Sequence, residues 1–208
     1  MVIAVMADEF LKNELTAQGL NEKVRVEWLD KPAFIKNALC YIDLLFTPRP
    51  ERIQVLQQLQ PALVIVNDLT GTLNSLPNGF VRINGWPTFL KRQITEASCH
   101  DAANKQPAAE IFSAFGKTIE WVPDVPGFIS ARIICTIINE AYFTLQENVS
   151  TKAEIDIAMK LGTNYPYGPF EWSEKIGLKK IVELLDVLAL TNSRYKPCDL
   201  LITEALSK

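Results

Sequence analysis

The chain changes its hydrophobic period at one place. Pro123-Asp124-Val125-Pro126-Gly127 sets two prolines and a glycine within five residues, an interruption that neither a helix nor a strand runs through. Before it, short apolar runs alternate with polar, helix-like stretches. After it, apolar residues return every three to four positions. A chain divided in this way builds two kinds of layer, which places a boundary between residues 1–122 and 123–208.

In the first part Val2–Met6, Val24–Trp28, Cys40–Phe46, Ala62–Val66, Phe80–Ile83 and a run from Gln93 to Ala97 read as strands, with helices over Glu9–Gln18, Glu51–Leu59 and Ala108–Phe115. This alternation predicts an α/β unit with a doubly wound parallel sheet. In the second part, Phe128–Glu147 carries Ile129, Ile133, Ile137, Ala141 and Leu145 at four-residue spacing, with Ile134 and Ile138 beside them. So wide an apolar surface is expected to be buried on several sides, by a partner subunit among the options. Thr151 with Glu154 three residues later predicts a capping box that opens a helix over Lys152–Leu161. Tyr165-Pro166-Tyr167-Gly168-Pro169 breaks the chain, and Lys179–Leu190 is the last clear helix. The aromatic residues Tyr165, Tyr167, Phe170 and Trp172 either line a pocket or pack a corner, and packing is the better supported reading.

Charge and composition remove several function classes. Lysine and arginine number 21 against 24 acidic residues, a formal net charge of −3, so strong electrostatic binding to nucleic acid is not expected. No apolar run approaches the roughly 18 residues of a membrane span, and Met1-Val2-Ile3 leads straight into a strand. Cys40, Cys99, Cys135 and Cys198 stand far apart with no paired spacing. That argues against a zinc site or a disulfide framework and for reduced thiols in a cytoplasmic protein. His100 is the only histidine, which excludes any mechanism that needs two.

A dinucleotide-binding strand-turn-helix needs glycines to let the backbone approach a pyrophosphate at the helix N-terminus. The turn after the first strand is Met6-Ala7-Asp8-Glu9-Phe10, and the first glycine in the chain is Gly19. Asp8 and Glu9 would put negative charge where the phosphates belong. Capping of the helix dipole is the better supported role for them. Glu27, near the end of the second strand, stands where an acid would hold a ribose, and a solvated strand end is equally compatible with it.

Residues 122 to about 187 resemble the C-terminal domain of the 3-hydroxyacyl-CoA dehydrogenases. The matching text is Pro126-Gly127-Phe128-Ile129, Arg132, Asn139-Glu140-Ala141, Ile155-Asp156 and Ala158-Met159-Lys160-Leu161-Gly162. It continues through Tyr165-Pro166, Gly168-Pro169-Phe170-Glu171 and Ile176-Gly177-Leu178, and Arg194-Tyr195-Lys196-Pro197 also fits. The N-terminal part is similar to the same family but shorter between its second and third strands. The resemblance implies a reduced Rossmann-like, NAD-binding-type domain followed by an all-helical domain that forms a homodimer and closes over acyl-CoA. It also implies hydride transfer between the 3-hydroxyl carbon and NAD, with no metal. In that chemistry a histidine takes the hydroxyl proton, a glutamate orients the histidine, and an asparagine and a serine hold the oxygen.

Carried onto this sequence, much of that machinery is replaced. Glu96 matches the glutamate, and the histidine position twelve residues earlier holds Asn84, whose amide has no useful basicity. The asparagine position holds Ala131, and the serine position holds Gly71, beside Thr72. The cofactor positions are Ala7, Asp8 and Glu27. His100 reads as a surface loop residue beside Asp101. The sequence therefore describes a diverged relative whose dehydrogenase activity is weakened or lost. The alternatives are a non-catalytic, dimeric acyl-CoA-binding or structural protein, and an enzyme of another class that uses Glu96 on an acyl thioester.

Overall fold

The computed structural model describes residues 1–207. It divides into two compact units, Met1–Phe128 and a second beginning at Ile129.

The first unit is a seven-stranded sheet of β1 (Val2–Met6), β2 (Arg25–Leu29), β3 (Cys40–Asp43), β4 (Leu63–Asn67), β5 (Phe80–Ile83), β6 (Ile94–Cys99) and β7 (Thr118–Trp121), in the order 2-1-3-4-5-6-7. Neighbours pair in parallel except β5 and β6. The exception has a simple cause. Only residues 84–93 separate β5 from β6, and a parallel crossover needs a dozen or more residues, usually with a helix. So short a connection must return antiparallel.

Side chains alternate across the strands and fill two cores. Ile3, Val5, Ile42, Ile65, Val81 and Ile83 pack on one face with Leu11, Leu15, Ile111, Phe112 and Phe115. These partners come from and around helices α1 (Glu9–Leu15) and α3 (Lys105–Ser113). Ala4, Met6, Tyr41, Val64, Val66 and Phe80 face the other way, toward Leu56 of α2 (Pro50–Gln57). β7 was not expected from the sequence. It is a four-residue strand at the edge of the sheet with alternate half-exposed positions, and it gives little periodic signal.

Segment 122–128 belongs to the sheet unit and is fastened to it. The Gly127 N–H donates to Leu69 O at 2.7 Å, and Asp124 accepts from the Leu73 N–H at 2.8 Å. Asp124 also pairs with Arg82, a fully buried guanidinium that donates twice to the Asp68 carbonyl and lies 4.7 Å from the Phe128 ring.

The second unit is all-helical: α4 (Ser130–Gln146), α5 (Lys152–Thr163), α6 (Pro169–Ile176), α7 (Leu178–Ala189) and α8 (Asp199–Ser207). The capping box at Thr151 and Glu154 is formed. The break at 165–169 is followed by a helix the sequence reading missed, although Pro169 at its first position and Glu171 at its third are start signals. Asp156 accepts from the N–H groups of Phe170 and Glu171 and so caps that helix. A Cβ on Gly168 would stand 2.2 Å from the Asp156 carboxylate, which is why glycine precedes Pro169. Asn139 bonds Lys196 O and Cys198 N, tying the entrance of α8 to α4. The aromatic residues pack a corner: Trp172 is almost fully buried and meets Tyr165 and Tyr167 edge-on, while Phe170 meets Tyr142.

Candidate functional site

Asn84 and Glu96 are brought together by the antiparallel β5–β6 pairing. Ile83 lies opposite Ala97, so the next step in register places Asn84 opposite Glu96. The Asn84 main-chain N–H donates to Glu96 O at 2.9 Å, and Asn84 Nδ2 donates to Glu96 Oε2 at 3.1 Å. Asn84 Oδ1 faces the Trp86 N–H at 3.4 Å. Asn84 is only 2% exposed, whereas Glu96 is half-buried. One amide hydrogen is committed to Glu96, and the amide itself carries no basic atom. The pair can hold an oxygen. It has no group at Asn84 that takes a proton.

Gly71, which the resemblance matches to a serine, is closed in by its surroundings. The Gly71 N–H donates to Asp68 Oδ1 at 2.9 Å, and a Cβ on Gly71 would lie 2.3 Å from Asp68 Oδ2. A serine there would have to displace Asp68, whose Oδ2 is buried without a hydrogen-bond partner. Thr72 precedes the short 3-10 turn Leu73–Ser75 and offers it no side-chain cap. Ala131 lies in the first turn of α4, fully buried, and carries no polar group.

At the end of β1 the helix start is already filled. Asp8 caps α1 by accepting from the Leu11 N–H at 2.8 Å, and the buried Ala7 gives its N–H to Leu29 O. Glu9 adds a second carboxylate to a helix only seven residues long. Glu27 occupies the middle of β2, opposite Ala4, with its carboxylate 2.5 Å from Arg25. It stands two residues short of the strand's carboxyl end. At the sheet's switch point between β1 and β3, buried Asp43 is held bidentately by Arg52. Burial pushes the Asp43 carboxyl up, and the guanidinium opposes that shift. His100 is an exposed residue after β6. Among the described residues no cluster of metal-ligating side chains occurs, and no helix is long and apolar enough to cross a membrane.

Sequence reasoning missed the Arg82–Asp68–Asp124 cluster, Glu14 and Lys117. A lysine after a glycine gives no sign of burial. The one available signal was the position of Arg82 in an otherwise apolar Phe80–Ile83 run.

Residues 127–205 match the family model described as 3-hydroxyacyl-CoA dehydrogenase, C-terminal domain. Over 156 residues the chain is 32% identical to the 3-hydroxybutyryl-CoA dehydrogenase of Bradyrhizobium diazoefficiens, covering 69% of this chain and 53% of that one. The helical unit belongs to the C-terminal domain family of the 3-hydroxyacyl-CoA dehydrogenases. The chain is also 44% identical over 93 residues to the 3-hydroxyadipyl-CoA dehydrogenase of Escherichia coli K12, covering 44% of this chain and 20% of the relative. The chain thus spans about half of the first of these dehydrogenases and a fifth of the second. The crystal structure of (S)-3-hydroxybutyryl-CoA dehydrogenase from Ralstonia eutropha shares the fold at a TM-score of 0.78 and 18% identity, over 99% of this chain and 93% of that one.

Proposed function

We propose that this chain is a diverged 3-hydroxyacyl-CoA dehydrogenase in which NAD-dependent oxidation of 3-hydroxyacyl-CoA to 3-ketoacyl-CoA is weak or lost. The observation that carries the reading is the buried Asn84 amide donating to Glu96 where the family's resemblance calls for a histidine. Glu96 still orients its partner, but the partner is a donor and cannot accept the hydroxyl proton. Gly71 supplies no hydroxyl and Ala131 no amide, so nothing at these positions adds a hold on the substrate oxygen.

The residues of the β1–α1 turn do not fit a dinucleotide pyrophosphate. The Asp8 carboxylate takes the N–H that would meet a phosphate, Glu9 adds like charge, and Glu27 is engaged by Arg25. At an effective dielectric near 20, one such repulsion is on the order of a few kcal/mol. No hydride step is therefore assigned to this chain.

A second reading is a non-catalytic homodimer that binds an acyl-CoA thioester or serves a structural role. It is favoured by the intact helical unit with its exposed apolar positions. Residues Ile129, Ile133, Ile157 and Leu161 are each at least half exposed, as they would be if a second copy covered them. The four unpaired cysteines, three of them buried, suit a reducing compartment such as the cytoplasm.

Calorimetry with NADH and with acetoacetyl-CoA, together with NADH oxidation followed at 340 nm, tests both readings. The expectation is NADH binding weaker than micromolar and turnover far below about 10 s⁻¹, the median for enzymes. Micromolar NADH affinity with turnover at that median would overturn the first reading. Tight thioester binding without turnover selects the second.

A further inference from the structure

The connection 84–93 that delivers Asn84 and leads to Glu96 is unusual for a loop: residues 84–90 are all buried. Buried loop backbone cannot rely on water, so its polar groups need partners from the surrounding fold. Two charged side chains supply them. The Glu14 carboxylate, from the inner face of α1, accepts the Thr88 N–H on both oxygens, at 2.9 and 2.8 Å. The Lys117 ammonium, just before β7, donates to Leu90 O at 2.5 Å and to Arg92 O at 2.8 Å. Glu14 is 8% exposed and Lys117 2%. The two attract each other across the loop, and Lys91 and Arg92 add positive charge around Glu14.

Between these holds the backbone is strained. Thr88 has φ of 73°, a left-handed conformation that a β-branched residue rarely adopts, and its buried hydroxyl has no hydrogen-bond partner. A conformation of this kind persists only where the surroundings over-determine it. The beginning of the loop is fixed as well: Gly85 gives its N–H to Asn67 Oδ1 at 2.9 Å, and a Cβ on Gly85 would lie 2.9 Å from Asn67 Cγ.

We infer that Glu14 and Lys117 are positioning residues, a two-sided clasp that holds the strained 84–93 connection and thereby seats the Asn84 amide against Glu96. Neither residue reaches the pair directly. Each acts through the backbone, Glu14 on the N–H side and Lys117 on the carbonyl side. This rests on the reading of Asn84 and Glu96 as the polar pair of the site.

Hydrogen exchange of the Asn84 side-chain amide, measured by NMR on the whole chain, tests the clasp without any added ligand. It therefore remains decisive whether or not a thioester or NADH binds. In Lys117→Met, which keeps the length of the side chain and removes its donors, Asn84 Nδ2 exchange should quicken about tenfold or more. Main-chain amides of β1 and β3 should be unchanged. In Glu14→Gln, which keeps an acceptor for Thr88, the effect should be smaller but of the same sign. Leu56→Ala, in the core on the opposite face, sets the change expected from lost stability alone. Asn84 exchange that merely follows the Leu56→Ala control in both clasp variants would overturn the inference. If Lys117→Met does not fold, Glu14→Gln decides the question by the same comparison.

Discussion

The side-chain amide of Asn84 donates to Glu96 Oε2 at 3.1 Å while the main chains of the same two residues are bonded at 2.9 Å. On the proposed reading, a histidine at position 84 would meet the same carboxylate. Replacing Asn84→His should place the new ring beside the Glu96 carboxylate. The carboxylate should then raise its pKa above the ordinary value of about 6.5, more than burial lowers it. A raised value means that the added stability is present below about pH 6.5 and is lost as pH rises through the folded-state pKa. An NMR titration checks this, and an imidazole titrating below the ordinary value would show that Glu96 does not engage that position.

How much of this was readable beforehand depends on the kind of interaction. Core strands with uninterrupted apolar runs, such as Val2–Met6 and Ala62–Val66, announce themselves because burial on both faces favours apolar residues. The twelve-residue spacing from Asn84 to Glu96 was legible only through the family resemblance, and the β5–β6 register shows why those two residues meet. The antiparallel direction of that pairing was not anticipated, although the shortness of the 84–93 connection contains it. The clasp was invisible for a different reason. Glu14 and Lys117 look like surface charges, and only the packing of a buried loop gives them work. Nothing in Trp86-Pro87-Thr88 signals a left-handed backbone, because the strain is imposed by distant partners.

Two glycines should respond oppositely to the same change. Gly71→Ala would put a Cβ 2.3 Å from Asp68 Oδ2, beside a carboxylate that also bonds the residue's own N–H. The cost should be about 1–3 kcal/mol. Gly162, within α5, has nothing within 4 Å of its Cβ position. Gly162→Ala should therefore add about 0.5–1 kcal/mol of stability. Urea midpoints at constant slope measure both, and a neutral Gly71→Ala would mean that Asp68 moves freely.

Burial lowers the pKa of Lys117 from 10.5 to about 8, against the opposing pull of Glu14. Between those two values the unfolded chain binds more protons at this site than the folded one, so the site makes stability rise with pH across that window. The clasp itself survives deprotonation, because a neutral amine still has hydrogens for both the Leu90 and Arg92 carbonyls. Comparing urea midpoints at pH 7.5 and 10 in the native chain and in Lys117→Met isolates the contribution. The native chain should gain relative to the variant. Equal pH slopes would show that Lys117 titrates at its ordinary value.

The helical unit leaves one face of α4 open. Thr136, Ile137, Glu140, Ala141 and Thr144 line a groove of about 380 Å³ against Ile155, Ala158, Met159 and Pro169. Ile133 and Ile129 continue the same face at four-residue steps and are 50% and 51% exposed. Two helices that each offer such a stripe can bury it against one another, and a two-fold pairing is the commonest way to do so. Light scattering at micromolar concentration should accordingly give twice the mass of the chain. Ile133→Asp, which would place a carboxylate in that contact, should return it to a single chain while leaving helicity unchanged, since the position is already half in water. Burying the charge unpaired would cost several kcal/mol per copy, and the two copies would repel as well. A native chain that scatters as a monomer would refute the pairing outright, and an Ile133→Asp variant that stays dimeric would move the interface to another face of the unit.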